Sequence, residues 1–514
     1  MTRRVLRDLR RLFSRRRALQ GLGATVGAGL VGCKSDDAET SDDGTAGTSS
    51  GAADSSSSAA DSSSSADESS SSQGSSEGST GDGPPMSDCA ATTDLSAAEL
   101  LAPIEHIVVV CMENRSFDHM LGALALVEGR AVDGLTGRES NDDAGGRPVA
   151  VFHLDSPVVA ADPPHGWNAS HAQWNDGAND GFVTEYAADG APDPTLIMGY
   201  YQREDLPVSY ALADNYSLCE RWFASVMGPT WPNRYCLHLA SAHGHMSNDG
   251  IDVGVVSIFD RLTEAGISNT YYSSNLPFTL TYGKTEGVQQ IDDFFADAAA
   301  GTLPQFCMVD PLFTQGANLG NDDHPPADVN MGQAFLATIH AAIAQSPLWE
   351  RSLLVITYDE HGGFFDHVPP PTTVDEMPGF EQLGFRVPAI VIGPHVRRGC
   401  VSSTQFDHVS VSSTATTRWG LTPINDRVTA TNDVSSCIDP NFLDDPQPPA
   451  QLPKMIVGRP QVVHPGASFP GQDDLAALAD RKLPPHLDHR ARAQQTMDTI
   501  IAWGVKLGAI ELAD

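Results

Sequence analysis

Two short runs of largely β-branched and aliphatic residues, at 107–111 and 353–358, constrain the fold of this chain more than any other feature. Neither run alternates with polar residues, which is the pattern of a strand buried on both faces. Similar runs and helical patterns alternate along the chain. Strands are predicted at 104–111, 305–309, 353–358 and 388–392, and helices near 233–242, 328–346 and 492–507. This alternation predicts an α/β fold with a mainly parallel sheet, covered by helices on both faces.

Acidic and amide side chains follow both runs directly. Glu113 and Asn114 come after the first run, and Asp359 and Glu360 come after the second. Because ligands bind where the strands of an open α/β sheet end, we expect these four side chains to meet at one edge. Their oxygens favour Ca²⁺, Mg²⁺ or Mn²⁺, and nearby histidines leave Zn²⁺ or Fe open. Each motif alone could be a polar turn or a helix cap, but two strands ending alike favour a shared metal.

A threonine lies where a helix is predicted to begin. In the segment 227–235, Pro232 precedes an apolar helical run, and proline suits the first turn of a helix. Thr230 is therefore expected at or just before the helix N-terminus, where the helix dipole favours an anion. Its hydroxyl is either an N-cap, the commoner role locally, or a nucleophile stabilised by the helix end and a metal.

Several histidines lie in polar, turn-forming loops. His165 precedes Gly-Trp, His324 precedes two prolines, and His408 follows an aspartate. A single loop histidine is usually only solvated. These positions lack apolar periodicity, however, so core packing does not explain them.

Residues 1–32 carry the pattern of an export signal. They contain eight arginines followed by a weakly apolar stretch, and residues 14–19 resemble a twin-arginine signal. Residues 30–33 resemble a bacterial lipobox, in which Cys33 becomes lipidated. The alternative is a plain signal with a chance cysteine. The lipobox interpretation predicts an exported, bacterial cell-envelope lipoprotein that is attached to a membrane by its N-terminal lipid.

The composition changes again after the lipobox. Residues 33–88 are almost wholly Ser, Asp, Glu, Gly and Ala, which predicts a lipidated cysteine followed by a disordered tether. Residues 89–514 then form the folded domain. No uncharged apolar run of 18 residues follows Cys33, so no further membrane span is predicted.

The charge balance excludes one class of partner. The chain has a formal net charge of −35, and residues 1–32 hold eight of its basic residues, so the folded domain is strongly acidic. This argues against nucleic acid as a partner and against electrostatic docking on an anionic surface. It is compatible with a site that requires a cation.

The eight cysteines have no close CxxC spacing. Cys111 and Cys307 lie in apolar, strand-like runs and are expected to be buried thiols. Export makes disulfides possible, and the pairing is left open among Cys89, Cys219, Cys236, Cys400 and Cys437.

Taken in order, these motifs resemble the phosphoesterase family. That family contains bacterial phosphatidylcholine-type phospholipases C, plant non-specific phospholipases C and AcpA-type acid phosphatases. The resemblance covers roughly residues 103–425, and its motifs lie at 113–122, 165–167, 228–234, 323–326, 359–369 and 407–408. The chain departs from the family at 410–417, where a Ser/Thr-rich run replaces a more apolar helix.

The resemblance implies an alkaline-phosphatase-like α/β fold, with residues 89–514 as the phosphoesterase catalytic domain. It also implies a divalent metal ion (Ca, Mg, Mn or Zn) held by Glu113, Asn114, Asp359 and Glu360. Thr230 would fill the nucleophile position and form a phosphothreonine intermediate.

The resemblance further implies substrate contacts from Asn114, His165, His324 and His361. His165 and His324 would hold phosphoryl oxygens or protonate the leaving group. The favoured substrate is a phospholipid, cleaved as by a phospholipase C. The alternatives are a broad-specificity acid phosphatase and, in another class, a non-catalytic surface lipoprotein that binds phospholipid or metal.

Overall fold

A nine-stranded sheet forms the centre of the molecule in a computed structural model, which describes residues 87–89, 93–251, 254–313, 320–458, 472–483 and 489–513. In spatial order its strands are β1 (Ser87–Asp88), β14 (Cys400–Ser402), β7 (Ser217–Cys219), β13 (Ala389–Ile392), β12 (Ser352–Tyr358), β2 (His106–Met112), β11 (Phe306–Val309), β9 (Asn269–Ser273) and β10 (Val288–Gln290). All neighbours run parallel except β13, which is antiparallel to both β12 and β7. The prediction of a mainly parallel sheet is confirmed.

Four two-stranded sheets accompany the central sheet. They are β3 (Ser140–Asp142) with β4 (Pro148–Ala150), β5 (Phe152–His153) with β6 (Gly199–Tyr200), β8 (Trp222–Phe223) with β15 (Phe406–Asp407), and β16 (Met455–Val457) with β17 (Ile510–Leu512).

The register of the two central strands determines where the polar motifs lie. β2 and β12 pair along their whole lengths, and the last pair is Met112 with Tyr358. Every residue of β12 is buried, as are the last six of β2, so both faces of the sheet are covered. Since the two strands end in register, the residues that follow them begin side by side.

Fourteen α-helices occur in the described residues. They are α1 (Ala97–Leu101), α2 (Phe117–Leu121), α3 (Ala123–Leu126), α4 (Trp167–Trp174), α5 (Phe182–Ala188), α6 (Pro207–Asn215), α7 (Thr230–Leu239), α8 (Ile258–Glu264), α9 (Ile291–Ala300), α10 (Val329–Ala344), α11 (Val409–Trp419), α12 (Asp426–Ala430), α13 (Asp473–Lys482) and α14 (His489–Leu507). The three helices predicted from the sequence correspond to α7, α10 and α14. None of the described helices is both long enough and apolar enough to cross a membrane.

The Ser/Thr-rich run at 410–417 forms most of helix α11 and is largely buried. Several of its hydroxyls find partners close by: Thr414 Oγ1 donates to the Ser410 carbonyl at 2.7 Å, and Ser413 Oγ donates to the Thr431 carbonyl at 2.8 Å. Ser412 Oγ is buried without a hydrogen-bond partner among the described residues. Because the hydroxyls of Ser413 and Thr414 are hydrogen-bonded, the polar composition does not prevent burial.

The first described residues, 87–89, are attached to one edge of the central sheet. Cys89 forms a disulfide with Cys400, and β1 pairs with β14 just before it. The described residues therefore include two, Ser87 and Asp88, that precede the boundary predicted at residue 89. The predicted export signal, and the predicted tether up to residue 86, lie outside the described residues.

The remaining described cysteines are free, buried thiols. Cys111 and Cys307 are buried as predicted, and Cys219, Cys236 and Cys437 join them. Of the candidate pairings left open by the sequence, the structure forms only Cys89–Cys400 among the described residues.

Candidate active site

The residues that follow β2 and β12 meet at one edge of the sheet. The backbone N–H of Asn114 donates to Asp359 Oδ1 at 3.0 Å, and the Glu360 N–H donates to the same oxygen at 2.7 Å. Asn114 adopts a left-handed φ of 59°. Gly362, with φ 63°, lies so close that a Cβ there would collide with the Asn114 carbonyl oxygen. Two tight turns thus direct Glu113, Asn114, Asp359 and Glu360 into one buried region.

An arginine lies within this group. The guanidinium of Arg234, on helix α7, contacts Glu113 Oε1 at 2.8 Å, Asp310 Oδ1 at 3.1 Å and Asp359 Oδ2 at 3.3 Å. It also donates to the Cys111 carbonyl at 3.0 Å. Burial and Asp359 raise the pKa of Glu113 well above its usual value, although Arg234 opposes this. One cation therefore orients three carboxylates.

Thr230 is the first residue of α7, and its side chain does not cap that helix. The N-cap is Pro229. The Thr230 hydroxyl instead donates to Asn114 Oδ1 at 3.4 Å. Asn233 fixes the preceding loop, because its amide nitrogen donates to the carbonyls of Val226, Gly228 and Pro229. The Thr230 side chain therefore does not act as an N-cap, which was one of the two roles that the sequence left open.

His165 lies beside both Asn114 and Glu360. Its Nε2 is 3.3 Å from Asn114 Nδ2 and 3.7 Å from Glu360 Oε1, and its Nδ1 is 2.7 Å from the Pro163 carbonyl. Burial alone would lower the pKa of His165, but the carboxylates of Glu360 and Asp162 outweigh it and raise this pKa to about 9. Burial raises the pKa of Glu360, and the charge of His165 opposes that rise. The two shifts are linked, since Glu360 raises the His165 pKa only while it is ionised.

His324 reaches the same region on a loop that is fixed by the end of β2. The Glu113 N–H donates to the Asp322 carbonyl at 2.8 Å, and Tyr358 donates to Asp323 Oδ2 at 2.6 Å. The rings of His324 and His165 are 6.0 Å apart. Asp162 lies between them, 3.7 Å from His165 Nδ1 and 3.9 Å from His324 Nε2.

His361 lies behind Glu360. Its Nε2 is 2.8 Å from Gln173 Oε1, and its Nδ1 is 3.3 Å from Glu360 Oε2. The ring packs against Phe385 at 4.6 Å between centroids. Burial lowers the pKa of His361 well below its usual value, so the ring is neutral. In this conformation it contacts Glu360 rather than an open surface.

Within the part of the chain that the structure describes, two groups of acid and histidine side chains could hold a metal ion on spacing alone. Asp162, His165 and His324 form one, and the ligand atoms in each group lie within 4.8 Å of one another. Asp118, Asp366 and His367 form the other. In the second group, however, Arg386 already binds Asp118 Oδ1 at 3.0 Å and Asp366 Oδ1 at 2.9 Å.

Several residues of the site were not assigned from the sequence. Asp310 directly follows β11, the neighbour of β2, so the rule that identified Glu113 could have found it. Arg234 lies one helical turn after Thr230, which places both on one face of α7. No local signal indicates Asp162, or Gln472, whose amide nitrogen lies 3.4 Å from Glu113.

Similar proteins include phospholipases C from plants and bacteria. Non-specific phospholipase C1 of Arabidopsis thaliana is 36% identical over 358 residues, which cover 62% of this chain and 67% of that protein. Phospholipase C A of Mycobacterium tuberculosis (strain ATCC 25618 / H37Rv) is 31% identical over 395 residues, covering 62% of this chain and 74% of that protein.

Solved structures give weaker similarities. A phosphonate monoester hydrolase of Agrobacterium radiobacter has a TM-score of 0.33 at 12% identity, over 65% of this chain and 77% of that one. A protein of the alkaline phosphatase superfamily from Vibrio parahaemolyticus has a TM-score of 0.32 at 10% identity, over 65% and 70%. These scores are too low to establish a common fold.

The family model for the phosphoesterase family matches residues 104–422. This match spans more than half of the chain and contains Thr230, the four residues that follow β2 and β12, and the three histidines described above. The chain belongs to the phosphoesterase family and is a hydrolase of phosphoester bonds.

Proposed function

We propose that the protein is a metal-dependent phospholipase C, which cleaves a glycerophospholipid to diacylglycerol and a phosphorylated head group. The observation that carries the proposal is the Thr230 hydroxyl, which lies at a helix N-terminus and contacts Asn114 beside a group of buried carboxylates. The names of the plant and mycobacterial relatives support a phospholipid substrate over a phosphomonoester.

The donor set fits a divalent metal ion. Glu113, Asn114, Asp359 and Glu360 present hard oxygen ligands, which suit Ca²⁺, Mg²⁺ or Mn²⁺, while the adjacent His165 leaves Zn²⁺ open. Glu360 Oε1 is buried and accepts no hydrogen bond from any described residue. His165 Nε2 lies 3.7 Å from this oxygen, too far for a hydrogen bond, so the oxygen is free to accept a metal ion. When bound, the metal would lower the pKa of the hydroxyl and neutralise charge on the phosphoryl group.

Thr230 is the proposed nucleophile. Its Oγ1 would attack phosphorus in line, forming the Oγ–P bond of a phosphothreonine while the bond from phosphorus to the diacylglycerol oxygen breaks. The dipole of helix α7 favours negative charge at this position. Asn114 Oδ1 accepts the hydroxyl hydrogen bond and so orients the oxygen before attack.

His165 or His324 would move the proton. The cationic imidazole donates its proton to the leaving diacylglycerol oxygen, and the neutral imidazole then takes a proton from the attacking water. Water cleaves the Oγ–P bond, and the head group leaves with its phosphate. Thr230, whose hydroxyl proton would pass to solvent before the attack, takes a proton back from solvent and recovers its hydroxyl. The position of His165 supports this assignment, because its Nε2 lies 3.3 Å from the amide nitrogen of Asn114, the residue that accepts the Thr230 hydrogen bond.

The proposal is tested by assaying the full-length protein on phosphatidylcholine and on p-nitrophenyl phosphate, with each candidate metal added separately. We expect phosphocholine release without appreciable p-nitrophenol release. The opposite result would support the acid phosphatase alternative. Neither product with any metal would support the non-catalytic binding protein.

We also propose that the protein is an exported lipoprotein whose Cys33 carries the membrane anchor. The lipobox-like sequence at 30–33 supports this proposal. The disulfide Cys89–Cys400 also supports it, since such bonds persist in oxidising compartments. Fatty-acid labelling of wild-type protein and of Cys33→Ser tests the anchor, and equal labelling would contradict it.

A further inference from the structure

A glutamine from the C-terminal part of the chain reaches the proposed metal site. The amide nitrogen of Gln472 lies 3.4 Å from both carboxylate oxygens of Glu113. Its amide oxygen accepts a hydrogen bond of 2.9 Å from Trp231 Nε1, next to Thr230. Gln472 is 1% exposed, and it lies beyond the residues 104–422 that match the family model.

The Gln472 side chain does not serve its own helix. Gln472 is the N-cap of α13, a position whose side chain commonly binds the free N–H groups of the first turn. It makes no such bond, and only its backbone carbonyl accepts from the helix, at Ala476. The side chain is directed to Glu113 and Trp231 instead.

Packing holds α13 beside the site. Its residues Leu475 and Leu478 are buried, and the helix contacts the turn Phe278–Tyr282. The Phe278 ring in turn lies 6.1 Å from the Trp231 ring and 5.9 Å from the Arg234 guanidinium carbon. Helix α13 therefore packs against the same segment, Phe278–Tyr282, whose Phe278 ring lies near Trp231 and Arg234.

The hydrogen bonds fix which way the amide points. An indole N–H can only donate, so the amide oxygen of Gln472 must face Trp231 and its NH₂ group must face Glu113. Arg234 Nε meanwhile donates to Glu113 Oε1 at 3.0 Å. Donors from two separate parts of the chain thus restrict rotation of one carboxylate.

We propose that Gln472 is a positioning residue that holds Glu113 in its metal-binding orientation. The inference rests on the proposed function, because it takes Glu113 as a metal ligand. Partners that hydrogen-bond a ligating carboxylate typically contribute about 10–100-fold to metal affinity. The C-terminal segment would then contribute to the site itself, and not only to the fold.

The test compares Gln472→Met with Leu475→Ala in the full-length protein. Gln472→Met keeps most of the side-chain volume but loses both hydrogen bonds, whereas Leu475→Ala weakens the packing of α13 and leaves Gln472 unchanged. Ca²⁺, Mg²⁺, Mn²⁺ and Zn²⁺ are titrated calorimetrically into metal-free wild-type protein, and the tightest ion is then used for the variants. Gln495→Met, at an exposed position of α14, is the neutral control.

We expect Gln472→Met to raise the metal Kd about 10–100-fold. Leu475→Ala should lower Tm without changing the metal Kd. The inference is overturned if Gln472→Met binds metal as the wild type does, or if Leu475→Ala changes the Kd equally. If Gln472→Met does not fold, Trp231→Phe serves instead: it frees the amide to turn, and an unchanged Kd would overturn the inference.

The two possible failures are distinguishable. Wild-type protein that binds none of the four ions overturns both this inference and the metal dependence of the proposed function. Wild-type protein that binds metal and cleaves phosphatidylcholine, with Gln472→Met unchanged, overturns the inference alone.

Discussion

Two buried arginines of this protein each hold acidic residues from the same two segments of the chain. Arg234 binds Glu113 and Asp359, which follow β2 and β12 directly. Arg386 binds Asp118, in helix α2, and Asp366, which lie five and seven residues further along the chain than Glu113 and Asp359. The first group lies beside Thr230. We call these the Arg234 cluster and the Arg386 cluster.

The clusters differ in how many of their carboxylate oxygens accept a hydrogen bond. In the Arg386 cluster, each carboxylate oxygen of Asp118 and Asp366 accepts a hydrogen bond from a nitrogen. In the Arg234 cluster, Asp310 Oδ2 is buried without a hydrogen-bond partner among the described residues, and so is Glu360 Oε1 close by. The carboxylate oxygens of Asp118 and Asp366 thus all have protein donors, whereas the Arg234 cluster and the adjacent Glu360 retain oxygens that can accept a further bond.

This difference supports the proposal that a metal ion binds at the Arg234 cluster and not at the Arg386 cluster. Leaving a buried acceptor without a partner costs about 1–3 kcal/mol, and more when it is charged. A site that accepts this cost in the free protein recovers it when a cation binds. The Arg386 cluster has no such spare carboxylate oxygen, and Arg386 joins the segments that carry Asp118 and Asp366.

The largest expected effect is the loss of turnover when Thr230, which lies beside the Arg234 cluster, loses its hydroxyl. Thr230→Val keeps the shape of the side chain but removes the hydroxyl, so turnover of phosphatidylcholine should fall by about 10³-fold or more. Metal binding, measured by calorimetry, should stay near the wild-type value. Thr230→Ser retains a hydroxyl and is the matched control. Substantial activity in Thr230→Val would remove the nucleophile assignment.

The Arg386 cluster should contribute to the free energy of unfolding but not to the affinity for metal. Arg386→Met leaves two buried carboxylates without their cation, and losing one partner of a buried pair costs about 3–5 kcal/mol. Denaturant unfolding of the metal-free protein measures this loss. If the folded fraction of Arg386→Met binds metal more weakly than the wild type by 10-fold or more, the distinction between the clusters fails.

A matched pair of substitutions compares the clusters directly. Asp359→Asn should weaken metal binding by about 10²-fold, whereas Asp366→Asn should leave the metal Kd unchanged. Chelation should correspondingly lower Tm in the wild type and in Asp366→Asn, but little in Asp359→Asn. Equal metal affinities in the two variants would contradict the assignment of Asp359 as a ligand.

The smallest expected effect is a pH dependence in the Arg386 cluster. Burial would lower the pKa of His367, but the hydrogen bonds that its ring donates to Asp118 and Asp133 outweigh this effect and raise the pKa to about 10. Because the folded pKa exceeds the unfolded value of about 6.5, the stabilisation is fully present below pH 6.5 and is lost as pH rises towards 10.

Denaturant unfolding of wild type and His367→Asn at several pH values checks this. The difference in unfolding free energy should be about 1 kcal/mol near pH 6, since the ring is partly exposed to solvent, and should shrink towards pH 10. A difference that grows with pH would show that His367 is neutral in the folded protein.

The sequence alone predicts the parts of the site that depend on local pattern. Glu113 and Asp359 follow strands that are recognisable from unbroken apolar runs, and parallel strands end at one edge. Thr230 was placed near a helix start because of Pro232. The local pattern does not show whether the Thr230 hydroxyl caps the helix. Pro229 is the N-cap, and its position depends on the loop that the Asn233 side chain holds.

The remaining contacts depend on residues that are far apart in the chain. Arg386 meets Asp118 across 268 positions, and Gln472 meets Glu113 across 359. No periodicity or local motif specifies such a meeting. The disulfide partner of Cys89 is of the same kind, because only the pairing of β1 with β14 brings Cys400 beside it.

That disulfide has a mechanical consequence. Force applied to the chain on the N-terminal side of β1 would first load the few hydrogen bonds of a two-residue strand, which yield easily. The load would then pass through the covalent bond from Cys89 to Cys400 and enter the sheet at β14. Under tension the folded unit is therefore held covalently at residue 400, even after the hydrogen bonds of β1 have broken.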